Sequence, residues 1–146
     1  MRTAEGSSNG GYRGRGQGRR RDHAQPRGKD ENLDIIADIL SIAARAGIPK
    51  QHTILDDGIG FAKTSRQNRD AILWLRELSD YGLPIMVGAS RKRFLGSLTG
   101  DGVEGTLVGS LTASLSAITA GAAILRVHDF EEHAVALRVL RAMRGT

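Results

Sequence analysis

From Leu33 onward apolar residues recur at spacings that alternate between helical and strand-like, whereas no Leu, Ile, Val or Phe precedes Leu33. Leu33, Ile36, Ile39, Leu40 and Ala43 fall mostly three or four positions apart, opposite Asp34, Asp38 and Arg45, which predicts an amphipathic helix. Gly47 and Pro49 end it. Thr53-Ile54-Leu55 is a short apolar run closing on Asp56, read as a buried strand. Thr64 or Ser65 caps a second helix carrying Ile72, Leu73, Leu75 and Leu78, which stops at Tyr81-Gly82. Ile85-Met86-Val87-Gly88 is the next buried strand. A loop at Leu98–Glu104 leads to a third helix, then Ala123–Val127 as a strand and Glu131–Arg144 as the last helix. The predicted order is α-β-α-β-α-β-α. Strands alternating with helices argue for an α/β fold of parallel βαβ units with right-handed crossovers.

Composition sharpens this picture. With 146 residues, 40% of them hydrophobic, the chain has room for one globular domain. A complete (β/α)8 barrel takes about 250 residues. The absence of Cys excludes disulfides, Cys-ligated zinc, iron–sulfur clusters and cysteine nucleophiles, and suits a reducing cytoplasm. No basic-then-apolar signal peptide opens the chain. Gly105 to Leu125 carries no charge, but its Thr and Ser residues make it too polar for a membrane span and Gly121 splits it.

The net charge of +5 is concentrated at one end. Residues 1–29 balance to +6, and the remainder to −1. The division expected is therefore a disordered Arg/Gly-rich arm over residues 1–30, with nothing to bury, and a folded domain over 31–146. The run from Arg13 to Arg21 attracts phosphate backbones, so a nucleic-acid-binding module using the arm is an alternative reading. The plain reading of the arm is a solvated tail, since its one Tyr offers little base stacking.

Candidate chemistry collects at three strand ends, where α/β folds place their sites. They read Asp56-Asp57-Gly58-Ile59-Gly60-Phe61-Ala62-Lys63-Thr64, Gly88-Ala89-Ser90-Arg91-Lys92-Arg93-Phe94-Leu95-Gly96 and Arg126-Val127-His128-Asp129. Each has a bland reading. Gly58-x-Gly60 lacks the third glycine of a dinucleotide loop, Ser90–Arg93 alone is a solvated loop, and His128 alone is a structural histidine. Asp129 would cap the last helix. On neighbouring strands, however, they bring a carboxylate, several cations and an imidazole to one rim.

In that combination the chain resembles dihydropteroate synthase, a folate-pathway enzyme on a pterin-binding TIM barrel. Its last three strand ends read much like Asp-Pro-Gly-Ile-Gly-Phe-x-Lys, Gly-x-Ser-Arg-Lys and Arg-Val-His-Asp. The resemblance covers about residues 31–146, the C-terminal half of that barrel. It implies a partial (β/α)8 barrel: the last three βα units plus a preceding helix, with two open sheet edges.

The family reaction joins 6-hydroxymethyl-7,8-dihydropterin diphosphate to p-aminobenzoate and releases diphosphate. By resemblance, Asp56 accepts hydrogen bonds from the pterin edge, Gly88 leaves space beneath the ring, and Lys92 binds the pterin carbonyl and ring nitrogen. Arg126 stacks on the pterin and reaches the diphosphate, and His128 donates to it, so Lys92, Arg126 and His128 are the candidate catalytic residues. Phe61, Ser90 and Arg91 match positions lining the p-aminobenzoate site. Mg²⁺ is the expected cofactor, with its usual ligand in the other barrel half.

Asp57 stands where the family has Pro, adding an anion near the diphosphate pocket unless it holds Mg²⁺. The expected partners are these small molecules and a second copy or a complementary N-terminal half-barrel. The same residues leave open a non-catalytic pterin-binding module of the wider group that includes methyltetrahydrofolate methyltransferases. The Ser90-Arg91-Lys92 and Arg126-Val127-His128 pair argues for the synthase, which alone needs a diphosphate site.

Overall fold

A computed structural model of the chain describes residues 29–99 and 106–145. The expected disordered arm lies almost entirely outside the described residues, as does most of the expected loop at Leu98–Glu104. Helix α1 (Lys29–Arg45) begins one turn before Leu33, with Asp30 and Glu31 in its first turn and Arg45 in its last, as the helix dipole favours. Its Leu33, Ile36 and Leu40 pack at the edge of the core, and Tyr81 Oη donates to the Leu33 carbonyl at 3.2 Å.

Three short parallel strands form the sheet, in the order β1 (Leu55–Asp56), β2 (Ile85–Val87), β3 (Ile124–Leu125). Leu55 pairs with Ile85, Asp56 with Met86, Met86 with Ile124 and Val87 with Leu125. All three strands are shorter than the sequence implied, β2 by Gly88 alone. Thr53 and Ile54 precede β1 outside the ladder, and Ile54 is 51% exposed. Ala123 and Arg126 still donate to Ile85 and Val87 carbonyls, but regular pairing narrows to Ile124–Leu125. Apolar runs report burial; ladder length is set by the partner strand, and β2 is only three residues long.

Helix α2 (Ser65–Leu73) opens with the capping box expected of Thr64: its Oγ1 accepts from Gln67 N at 3.2 Å, and Gln67 Oε1 accepts from Thr64 N at 2.7 Å. The single helix expected here is broken at Trp74 (ψ 0°), continuing as α3 (Leu75–Leu78) and a 3₁₀ turn that Gly82 stops at φ 61°. A further helix that the sequence did not predict, α4 (Arg93–Thr99), begins in the Ser90–Arg93 run and takes in the first two residues of the expected Leu98–Glu104 loop. Leu98 belongs to it, and Phe94 and Leu95 are buried.

Thr106 caps α5 (Leu107–Thr119), whose small residues Ser110, Ala113, Ser114 and Ala117 are buried. Helix α6 (Phe130–Arg144) packs on α5 through buried His133, which donates from Nδ1 to the Asp129 carbonyl and receives the Ser114 hydroxyl at Nε2, 3.1 Å away. The core of Leu55, Ile85, Val87, Leu75 and Ala117 sits between sheet and helices, leaving the carboxyl ends of the strands open. Among the described residues no helix is long and apolar enough to cross a membrane.

Candidate functional site

The β1–α2 loop is the most tightly folded part of the rim. Asp56, the last residue of β1, accepts the Gly58 amide on Oδ1 at 2.9 Å. The next residues turn through left-handed conformations at Gly58 (φ 63°), Gly60 (φ 86°) and Ala62 (φ 48°). Lys63 Nζ donates to the Asp57 and Gly58 carbonyls at 2.6 and 3.2 Å and closes the loop on itself. Lys92, just before α4, lays its methylenes over Gly60, where an added Cβ would stand 2.8 Å from Lys92 Cδ. Its ammonium lies 4.4 Å from the centre of the exposed Phe61 ring. That is a cation–π contact.

The other half of the rim is organised by Arg126, one residue past β3. Its guanidinium lies over Gly88 and reaches Asp56, with Nη2 3.6 Å from Asp56 Oδ2. A Cβ at Gly88 would fall 2.8 Å from Nη2 and 2.9 Å from Nε, so the absent side chain is what lets Arg126 cross the middle strand. The space expected beneath a pterin is therefore occupied by this guanidinium.

Buried Ser90 ties β2 to the β3–α6 turn: its Oγ accepts the His128 amide at 3.2 Å and sits 3.1 Å from His128 Nδ1. Arg91 (φ 55°) donates its amide to Ser110 Oγ at 2.9 Å, and its guanidinium forms a two-pronged pair with the Asp129 carboxylate. Asp129 does stand at the N-cap of α6, but its side chain makes no cap hydrogen bond. The charged pair with Arg91 takes the carboxylate that the sequence assigned to the helix amides. Those hydrogen bonds hold Asp129 below the ordinary carboxylate range and Arg91 above its ordinary value.

Asp57 departs furthest from its expected place. It lines a small pocket between α1 and α2–α3 with Asn32, Leu33 and Trp74, behind the loop. Its Oδ2 is buried without a hydrogen-bond partner. Burial pushes this carboxyl up to about 6, with Asp56 adding to the rise and Lys63 opposing it. It adds no anion to the rim because its side chain is packed under α1. Among the described residues no three His, Asp or Glu side chains converge as a metal-ligand set.

The structure therefore joins the candidates in pairs: Asp56 with Arg126 over Gly88, Lys92 with Phe61, Ser90 with His128. Arg91 is the exception, held by Asp129. An open cleft of about 540 Å³ takes in Gly60, Lys63, Arg91 and Lys92, while Asp56, Arg126 and His128 lie outside it on the rim. Sequence reasoning missed Asn68, whose buried side chain binds the β1–α2 loop. An Asn on the polar-looking start of a helix gives no signal of burial.

The pterin binding enzyme family matches residues 23–128. The chain is 41% identical to the dihydropteroate synthase of Escherichia coli over 116 residues, covering 75% of this chain and 41% of that protein. It is 39% identical to the Mycobacterium leprae dihydropteroate synthase over 131 residues, 84% of this chain and 46% of the relative. Its fold superposes on the Xanthomonas albilineans dihydropteroate synthase in complex with 7,8-dihydropteroate with a TM-score of 0.76 at 34% identity, covering 80% of this chain and 46% of that structure. The chain thus spans less than half the length of each of these relatives. By this family match over most of the chain and the likeness of its fold, the chain belongs to the pterin-binding enzyme family, and the relatives it matches there are dihydropteroate synthases.

Proposed function

We propose that this chain carries the diphosphate-facing part of a dihydropteroate synthase site, for joining 6-hydroxymethyl-7,8-dihydropterin diphosphate to p-aminobenzoate. The observation that carries this reading is the Arg126 guanidinium laid over Gly88 against Asp56. A planar cation beside a carboxylate on an open rim matches a planar ligand with a guanidine-like edge and an anionic tail. When the pterin enters, Asp56 takes its N–H edge, Arg126 stacks on the ring and turns its donors to the diphosphate, and Lys92 meets the pterin carbonyl.

Ser90 prepares His128 for its part. The Ser90 hydroxyl accepts from the His128 amide, and in the tautomer where it donates to Nδ1 the imidazole proton sits on Nε2 and can donate to a diphosphate oxygen. The aniline nitrogen of p-aminobenzoate attacks the exocyclic carbon, the carbon–oxygen bond breaks with its electron pair leaving on diphosphate, and the nitrogen passes a proton to solvent. An aniline needs no strong base, so the work of Lys92, Arg126 and His128 is to stabilise the departing anion. Phe61 and the Ser90–Arg91 turn flank the p-aminobenzoate.

We further propose that the three strands are part of a barrel completed by other strands, and that synthesis depends on them. Among the described residues β1 and β3 each pair on one side only, and three strands cannot close around a ligand. The test is turnover of the pterin diphosphate with p-aminobenzoate, by the chain alone and with a separately expressed N-terminal barrel half from a relative. No appreciable turnover alone, rescue by the added half and loss of rescue with Lys92→Ala are expected. Robust turnover by the chain alone would overturn the dependence on other strands. Rescue that survives Lys92→Ala would overturn the assignment of the site.

A further inference from the structure

We infer that Asn68 is the positioning residue of this site: through Gly60 it sets where Lys92 and Phe61 stand, without touching substrate itself. Its functional consequence rests on the reading of Lys92 and Phe61 as substrate contacts; its geometric content does not.

Asn68 lies one turn into α2, on a face turned towards the rim, and is 2% exposed. Its amide uses both kinds of group it offers. Oδ1 accepts the Gly60 amide at 2.5 Å, and Nδ2 donates to the Lys63 and Thr64 carbonyls at 3.2 and 3.0 Å. The side chain thus joins the middle of the β1–α2 loop to the segment that enters α2. This loop needs an anchor. Three of its positions are left-handed, one of them the non-glycine Ala62, and the Asp56 and Lys63 side chains hold only its Asp57–Gly58 end. Between Gly58 and the helix, Asn68 fixes the peptide of Gly60.

Gly60 is also where Lys92 rests. An added Cβ there would stand 2.8 Å from Lys92 Cδ and 3.3 Å from Nζ, so the Lys92 stem is laid directly on this backbone. The next residue, Phe61, provides the ring beneath the Lys92 ammonium. A movement of the Gly60 peptide therefore displaces both the floor and the aromatic partner of one cation. Asn suits the task because it accepts from one strand of the loop and donates to the other; Asp cannot donate when ionised, and Ser is too short to span both.

The test reads the ligand-free full chain by NMR. A Lys92 stem over the Phe61 face carries upfield ring-current shifts on its ε-methylene protons, assigned by their loss in Phe61→Leu. In the wild type these shifts are expected together with Gly60 amide exchange slowed about tenfold or more relative to an open peptide. Asn68→Ala should abolish the shifts while backbone dispersion persists, and Asn68→Asp, which keeps the acceptor for Gly60, should restore them in part. Should Asn68→Ala unfold, Gly60→Ala leaves Asn68 intact and must displace Lys92, and the wild-type exchange rate of the Gly60 amide still decides.

Ring-current shifts unchanged in folded Asn68→Ala, unchanged in Gly60→Ala, or a Gly60 amide exchanging at the open-peptide rate would each overturn the inference. In the same samples, p-aminobenzoate titration should show about tenfold weaker binding for Asn68→Ala. Retained shifts without any ligand binding in the wild type would count against the proposed function and leave the positioning role standing.

Discussion

Two corners of the same rim share buried hydrogen bonds to loop amides but differ in what holds their outer side chains. The β1–α2 loop is fixed from inside, by a neutral, buried Asn68 amide and by Lys63 folded onto backbone carbonyls. The corner where the β2–α4 and β3–α6 turns meet has buried Ser90 and Ser110 hydroxyls holding the His128 and Arg91 amides, and adds from outside the Arg91–Asp129 ion pair, with the guanidinium over half exposed. Buried neutral hydrogen bonds are scarcely touched by salt and costly to leave half made. Exposed ion pairs are screened and individually weak. The first corner is therefore a rigid shelf for Lys92 and Phe61, while in the second the Ser90–His128 link is held likewise and the Arg91 guanidinium is the adjustable part.

The sharpest way to break this contrast is to remove the interior clasp. Asn68→Ala leaves the Lys63 and Thr64 carbonyls and the Gly60 amide without their partner, and should cost about 2–3 kcal/mol in chemical denaturation, the same at low and high salt. A loss that shrinks with added salt would erase the distinction between the corners.

Next in size is Asp57, buried behind the first corner. Its carboxyl is raised to about 6, so the folded chain holds that proton more tightly than the unfolded chain. The associated stability is present below the ordinary carboxylate pKa of about 4 and is lost as pH rises through about 6. Asp57→Asn should flatten the stability profile between those values and gain on the order of 2 kcal/mol at pH 7, measured by urea denaturation across pH. An unchanged profile would mean that the carboxyl is solvated.

A smaller effect is expected at the bridge between the corners. Gly88→Ala puts a Cβ where the Arg126 guanidinium lies, displacing it from Asp56. Inorganic diphosphate should bind about tenfold more weakly, about 1.4 kcal/mol, with the melting temperature little changed. Equal affinity would remove Arg126 over Gly88 from the account.

The smallest effect belongs to the outer corner. Asp129→Asn should lower stability slightly at low salt and not at all at high salt. It should also free Arg91 and raise the affinity for p-aminobenzoate at low salt. A loss that persists at high salt would make this corner as rigid as the first.

What the sequence disclosed follows the same division. The order of parallel βα units, the Thr64 cap and the stop at Gly82 are local signals of capping, turn chemistry and apolar period, and each is legible without tertiary knowledge. The strand-end motifs put Asp56 and Arg126 on one rim because successive parallel strands end on the same side. What could not be read depends on side chains meeting across elements. Helix α4 hides behind Arg91-Lys92-Arg93, a charged run that looks solvated until Phe94 and Leu95 are seen buried. Asp129 reads as a cap until Arg91, 38 residues earlier, competes for it. Asp57 reads as a rim anion because nothing local says that α1 packs over it.

The central claim, that Arg126, Asp56 and their neighbours form a pterin-diphosphate site, is tested most directly by equilibrium titration of the chain with 6-hydroxymethyl-7,8-dihydropterin diphosphate. Saturable binding is predicted, weakened about tenfold or more by Arg126→Ala, which removes charge-assisted hydrogen bonds, and weakened again in Asp56→Ala for the pterin but not for inorganic diphosphate. Binding indifferent to both substitutions, or none at millimolar ligand in a chain shown to be folded, would contradict it.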